Sequence, residues 1–507
     1  MAERGAVGAE AGTEPRPRPP FWVLSTYFAE GFPYSLVLAQ LPTVFFREHG
    51  ASLQALGLTA LYRIPWVVKF LWAPLVDAYA TKRRWLLLAE GALVATAAAL
   101  ALAAATPWVL AAASAAFLAM ALMAATHDIA VDGFYLESLD RARQAAFVGY
   151  QAMAYRLALI AGSGWLVAFA GVAGWPPAFL LAAGVLLLLL LFHAARLPRS
   201  EAERRPMAAL AGDLASPARL AWLAGAALLA AACAAAVRIE AVRGLFAPLR
   251  PALQKVGLPG LVTLALLLAL LILLAFLPRL RRAVGASDSL FARAFVDWLD
   301  QPRMGVVLAF LCTYRTGESF LLAMVYPFLK ELGLSQAQFG WIQGTFGVGA
   351  SIAGAILGGH LIRRFDLRRT IWPLVLAQNV PHLLYVVLSL VNDRLLRHPG
   401  AGIWDPYPYQ VGFFVVMEAF GAGLGTAVFM VYIQRTCKAA FKAAHFSIAT
   451  SIMNVSTTLA GVLSGFLAAS LGYRYFFALT FFITLPSMAL IPFLPHRDVV
   501  QEARPET

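Results

Sequence analysis

The chain has 507 residues, of which 61% are hydrophobic and 13% charged, with a mean hydropathy of +0.72 and a formal net charge of +13. A soluble chain of this length would divide into domains, each with its own polar coat, and so small a charged fraction excludes that arrangement. The basic excess is assigned to residues that flank membrane spans, so no nucleic-acid partner is expected.

Residues 1–20 are polar and rich in proline and read as a cytoplasmic tail. The first apolar segment carries Glu30 and Pro33 without a cleavage site, which marks a retained span rather than a signal peptide. Breaks at charges, Pro and Gly place a first set of spans at Phe21–Phe46, Ser52–Val76, Trp85–Ala105, Trp108–Asp132, Ala145–Ala170 and Pro176–His193. Leu220–Val237 and Leu258–Leu277 follow as a separate pair. A last set covers Met304–Leu329, Gln336–Ile362, Thr370–Val391, Tyr409–Gln434, Ala444–Ser470 and Tyr475–Phe493. Each block is long enough to cross a ~30 Å hydrocarbon core, and lipid offers the backbone no hydrogen bonds, so each must be a helix. Pro33, Pro65 and Pro74 fall inside spans and are expected to kink them.

Lys and Arg set the orientation. With the N-terminus inside, the inside segments hold Lys82, Arg83, Arg84, Arg141, Arg143, Arg196, Arg363, Arg364, Arg368, Arg369 and Arg435, whereas most outside loops hold few basic residues. The exception is the loop with Arg238, Arg243, Arg250 and Lys255. Both termini are expected in the cytoplasm. The two larger sets also look like repeats. Asp77 with Arg83 and Arg84 ends the second span of one, and Arg363 with Arg364 ends the second span of the other, roughly three hundred residues later. These two loops are candidate conformational gates.

Ionisable residues within spans cost several kcal/mol unless they face a partner or a wet cavity. At 1.5 Å per residue, Glu30 lies roughly 14 Å deep, Lys69 roughly 12 Å, Asp128 about 15 Å and Arg156 roughly 17 Å, in one slab of the first half. Asp132 is one helical turn from Asp128 and shares its face. In the later half Arg315 and Glu318 are spaced to pair with each other or to bind a charged group in a cavity. Glu418 and Asn454 are further polar candidates, and Gln343, Asn379 and His382 read as helix-packing hydrogen-bond formers. Cys233, Cys312 and Cys437 are odd in number and far apart and imply no disulfide or metal framework. No phosphate-binding Walker loop is present, and no cofactor is expected. His127 and Asp132 form an H-x-x-x-x-D pattern that some acyltransferases use; inside an apolar span and without a phosphate-binding companion it reads as a chance match.

Three strings carry a family resemblance: Phe28-Ala29-Glu30-Gly31-Phe32-Pro33, Val68-Lys69-Phe70-Leu71-Trp72-Ala73-Pro74-Leu75-Val76-Asp77, and His127-Asp128-Ile129-Ala130-Val131-Asp132-Gly133. With Tyr155-Arg156-Leu157 in the fifth span, the chain resembles the AmpG-type muropeptide permeases, relatives of the acetyl-coenzyme A transporters in the major facilitator superfamily. The likeness is dense from Phe21 to Gly164 and rests on span layout thereafter. It implies proton-driven import of anhydromuropeptides, with Lys69, Asp128, Asp132 and Arg156 at positions that match the family strings. The pair of spans between the halves departs from the family's layout, whose extra spans lie at the C-terminus.

The expectation is therefore an all-α membrane protein with a major facilitator fold: two six-helix halves plus two inserted helices, about 14 transmembrane helices in all. The divisions are 1–20 tail, 21–193 first half, 194–302 linkers with the inserted pair, 303–494 second half and 495–507 tail. The expected function is secondary transport, with an amino-sugar or peptide substrate, protons and the lipid bilayer as partners, in a bacterial inner membrane. A same-fold carrier of another solute, such as an acyl-coenzyme A or a drug-like amphiphile, is the alternative, and a membrane-embedded enzyme the more distant one. Coupling or substrate-binding candidates are Glu30, Lys69, Asp128, Asp132, Arg156, Arg315 and Glu318.

Overall fold

The computed structural model of the protein describes residues 21–69, 72–199, 205–214, 268, 290–395, 406–438 and 442–495. The tails, both inserted spans and the exceptional basic loop between them lie outside the described residues. All regular structure among the described residues is helical, the form in which a spanning segment satisfies its own backbone.

Nine helical stretches among the described residues are long and apolar enough to cross a membrane. One of them, Ile448–Phe493, crosses twice, because Gly472 at φ 73° and ψ 159° interrupts its helix. Two predicted spans are not among the nine, and the helix of each is divided. The first divides into Phe21–Leu38 and Leu41–Glu48. The second divides into Leu53–Gly57, a 3-10 stretch Leu58–Arg63, then Ile64–Val68 and Ala73–Ala78. Counting Ile448–Phe493 twice and adding the broken pair gives six spans on each side of the linker. Proline explains the second break: Pro65 and Pro74 occupy the opening positions of the last two pieces, where no N–H is required. Pro33 by contrast is held inside Phe21–Leu38. The seventh span of the set is also broken, at Arg315, between Met304–Tyr314 and Thr316–Glu331.

Two spans carry π-helical stretches, Ile160–Trp165 and Gly340–Gly347, and these pack against each other across the halves. Glycine makes that approach possible. A Cβ on Gly344 would lie 2.2 Å from the Ser163 carbonyl oxygen, and one on Gly164 would lie 2.8 Å from the Gly344 carbonyl carbon. A second cross-half seam sets Gly465 against Leu53, where a Cβ would fall 2.0 Å from the Leu53 carbonyl oxygen. Both seams sit toward the end of the bundle that carries Glu48 and Lys330.

Apolar packing is divided in the same way. The largest cluster joins both halves at that end, with Phe45, Phe117 and Phe179 from the first and Tyr326, Phe328 and Phe477 from the second. At the other end each half has its own cluster. One is built on Val76, Phe134 and Phe147, the other on Phe310, Tyr314 and Phe429. Of the segment 194–302, the helices Met207–Leu214 and Leu290–Leu299 are described. Arg205, just before the former, donates to the Tyr79 hydroxyl at 3.2 Å. Trp298 of the latter is buried in the second-half cluster.

Candidate functional site

The centre of the first half is built on Val109–Ser138, which presents Asp128 and Asp132 one turn apart. Lys69, just past the short helix Ile64–Val68, makes an ion pair with Asp128. Glu30, on Phe21–Leu38, has its carboxyl within hydrogen-bonding reach of Asp128 and feels the charges of Asp132 and Lys69. Its Oε2 atom is buried with no hydrogen-bond partner among the described residues. Asp132 Oδ1 accepts from the Tyr27 hydroxyl at 3.1 Å. Glu30, Lys69 and Asp128, three of the four residues assigned to one slab, thus come together, with Asp132 beside them. Arg156 does not join them: among the described residues it has no ion pair or hydrogen bond.

Its neighbour Tyr155 adjoins the cluster instead. The Tyr155 phenol lies close enough to feel Glu30, Asp128, Tyr34 and Arg63. Tyr34 bridges to Trp66, with ring centroids 5.6 Å from Tyr155 and 5.5 Å from Trp66. Arg63 is a site residue that sequence reasoning passed over. The signal was available, since Arg63 is, with Lys69, one of two cations well inside the span Ser52–Val76.

In the second half Arg315 sits at the helix break and donates to Glu318 Oε1 at 2.8 Å and to Thr426 Oγ1 at 2.8 Å. Glu318 keeps Oε2 buried and unpartnered. Glu418 is fully buried with neither carboxyl oxygen partnered, and it lies near Glu318, Arg315 and Tyr385. Gln343 Oε1 and Asn379 Oδ1 are buried without a hydrogen-bond partner among the described residues.

A second buried polar group was not anticipated. His193 Nδ1 lies 2.6 Å from Glu90 Oε1 and its Nε2 lies 2.9 Å from the Ser25 hydroxyl. His127 Nε2 approaches the same Glu90 oxygen at 3.4 Å. The H-x-x-x-x-D pattern is therefore not a working pair, because His127 turns to Glu90 while Asp132 turns to Tyr27.

The two ends of the bundle differ. At one, Glu48 pairs with Lys330 at 2.7 Å and Arg47 with Glu331 at 3.1 Å, each bond joining the two halves. The Tyr326 hydroxyl donates to Glu48 and the Tyr473 hydroxyl to Glu331. Gln40 Nε2 donates across to the Leu322 carbonyl at 2.9 Å. At the other end the candidate gating loops engage their own halves. Asp77 pairs with the buried Lys82, and Arg83 donates to the Ala194 carbonyl at 2.6 Å. The Arg84 N–H is capped by Thr81, Arg363 contacts His360 at 3.3 Å, and Arg364 lies over the Phe365 ring. Asp366 pairs with Arg435 at 2.7 Å. Burial alone would raise the Asp366 carboxyl, but bonds from Arg435 and from the backbone N–H groups of Leu367 and Arg368 hold it below the usual carboxylate range.

Twelve described spans in two sixes, meeting at a polar centre, define a multi-pass membrane protein with the major facilitator fold. Residues 306–507 match the Major Facilitator Superfamily. Among solved structures the chain is similar to a peptide transporter POT at a TM-score of 0.62 and 17% identity, covering 93% of each chain. It is also similar to a D-xylose-proton symporter at a TM-score of 0.56 and 12% identity, covering 94% of this chain and 98% of that one. At these identities the likeness concerns the fold.

The curated relatives bear out the resemblance to AmpG-type permeases. The chain is 30% identical over 227 residues to the transporter candidate AmpG 2 of Rickettsia bellii, covering 44% of this chain and 53% of that protein. It is 29% identical over 209 residues to its counterpart in Rickettsia felis, covering 40% and 47%. The chain thus spans about half the length of these relatives. An uncharacterized protein of Haemophilus influenzae is 22% identical over 473 residues, covering 91% of both chains.

Proposed function

We propose that the chain is a secondary transporter of the major facilitator type, not an enzyme, and that it imports anhydromuropeptide-type cell-wall fragments together with protons. It sits in the bacterial inner membrane with both termini in the cytoplasm. Residues 21–193 and 303–494 form the moving halves. Residues 194–302, with their inserted spans, stay outside the transport path, and 1–20 and 495–507 are cytoplasmic tails. In this orientation the Glu48–Lys330 end is periplasmic and closed, and the central groups face the cytoplasm.

The observation that carries the reading is the cluster around Asp128, where the carboxyls of Glu30, Asp128 and Asp132 face the single ammonium of Lys69. Uncompensated carboxylates are costly in a membrane, and a proton held between facing carboxyls relieves the imbalance. Lys69 can release Asp128 when the cavity rearranges, so the held proton and the lysine exchange roles as the halves rock. That exchange ties proton movement to substrate movement. The amino-sugar substrate follows from the AmpG-type relatives. Asp128→Asn keeps shape and hydrogen bonding but cannot titrate. Inverted vesicles or proteoliposomes with an imposed proton gradient should lose accumulation of labelled anhydromuropeptide with this variant, while exchange down a gradient persists. Wild-type accumulation by Asp128→Asn would make the cluster a structural ion-pair network.

A further inference from the structure

Arg63 lies in the 3-10 stretch Leu58–Arg63 of the second span, which packs against the first and fourth spans and against Lys442–Leu490 of the other half. It is partly exposed, and among the described residues it has neither ion pair nor hydrogen bond. A cation at membrane depth without a partner is expensive unless it borders a wet cavity or a bound anion. The acids of the adjoining cluster do not take it up: Asp128 is engaged by Lys69 and Asp132 by Tyr27, and Glu30 makes no ion pair with it among the described residues.

The surroundings of Arg63 are those of a ring-binding site. Tyr155, which feels the Arg63 charge, is joined through Tyr34 to Trp66 in a chain of aromatic faces. The Trp66 indole N–H is buried and has no acceptor among the described residues. A buried donor left without an acceptor is costly, so its persistence here points to an acceptor supplied from outside. A few convergent polar groups on an aromatic wall are the usual make-up of a small-molecule site.

We propose that Arg63, Tyr34, Trp66 and Tyr155 form the substrate's anion subsite: Arg63 grips a substrate carboxylate, which a muropeptide carries on its peptide and a peptide-free fragment on its muramic ring, the aromatic faces cover a sugar ring, and the Trp66 N–H donates to a ring substituent. The planar guanidinium suits a carboxylate because two parallel N–H donors meet its two oxygens. Placed beside the Glu30–Asp128 cluster, the bound anion adds negative charge where Lys69 is shared. Binding therefore favours protonation of that cluster, which is the sign that symport requires. This subsite takes its sugar chemistry from the proposed substrate and its role from the transporter reading, while the anion preference rests on Arg63 itself.

The test uses the disaccharide N-acetylglucosaminyl-anhydro-N-acetylmuramic acid and its methyl ester, which lacks the anion. Binding to the purified full-length protein is measured by calorimetry and uptake in vesicles. The wild type should prefer the acid by about tenfold or more, as a charged hydrogen-bonded pair allows. Arg63→Gln should bind acid and ester alike at the ester's level, and Arg63→Lys should recover part of the preference. Trp66→Phe, which keeps the ring but removes the N–H, should weaken acid and ester equally and so serves if the arginine variants do not fold. Failure of uptake by the wild type, with an Arg63-dependent preference intact in binding, removes the transport reading and leaves the subsite standing. Equal binding of acid and ester by the wild type, an undiminished preference in Arg63→Gln, or unchanged binding in Trp66→Phe overturns the proposal.

Discussion

At the Glu48–Lys330 end the two halves share one apolar cluster, two glycine seams and two cross-half ion pairs, whereas at the Lys82–Asp366 end each half has its own cluster, and the pairs Asp77–Lys82 and Asp366–Arg435 each lie within one half. The difference lies in what must come apart. Backbone-to-backbone contact through glycine involves no long side chain and has little freedom to adjust, so it is either formed or lost. Ion pairs at the rim gain little in water and can be exchanged cheaply. A carrier that opens alternately at its two ends has to break the first kind of contact to expose its centre on the closed side. The local pairs Asp77–Lys82 and Asp366–Arg435 instead tie short loops to the halves that move.

The comparison can be broken most severely at Gly344. Valine there would drive its Cβ into the Ser163 carbonyl, at 2.2 Å, and backbone cannot retreat as a flexible side chain would. Overpacking of this kind reaches about 3 kcal/mol, or more than about a hundredfold in the balance between closed and open forms. Spin labels at Trp108→Cys and Tyr475→Cys, exposed positions on opposite halves at that end, should report a longer distance in Gly344→Val than in the parent. An unchanged distance distribution would mean that the glycine seam does not hold this end shut.

A smaller effect is expected at the rim. Glu48 and Lys330 are a quarter to a third exposed, so their coupling should be about 0.5 kcal/mol after screening. A double-mutant cycle of Glu48→Gln and Lys330→Gln, read by the same spin-label distance, should yield that small term and lose it in high salt. A coupling energy above about 2 kcal/mol would make the ion pair, rather than the glycine seam, the principal latch.

The smallest effect belongs to the other end. Asp366 is held below the usual carboxylate range in the folded protein. Its contribution to stability is therefore present above the unfolded value, near pH ~3.9, and is lost as the pH falls through the lower folded value. Asp366 is about a third exposed, so after solvent screening this amounts to a few tenths of a kcal/mol, about the level of a surface pair. Asp366→Asn should lower thermal stability slightly at pH 7 and should converge with the parent in strong acid. A difference that grows as the pH falls would have the wrong sign for this account.

Much of the architecture was legible because it depends on local composition. Apolar block length, proline and the flanking basic residues placed both sets of six spans, and helical periodicity put Asp128 and Asp132 on one face. The 1.5 Å rise was enough to bring Glu30 and Lys69 to the same depth. Depth does not say which side of a helix faces which neighbour, however. Arg156 shares the depth of Asp128 without touching it, and His127 turns to Glu90 rather than to Asp132, five residues along its own helix.

The sequence by itself determined that this is a helical membrane protein with a charged layer in its first half, since each of those properties is fixed within one span by hydropathy and the helical repeat. Only the tertiary structure decided the partners. The Glu90–His193 bond joins residues 103 apart, and the Glu48–Lys330 pair and the Gly344–Ser163 approach join opposite halves. No periodicity within a span encodes such distances; they follow from which helices are neighbours and which end of the bundle is closed.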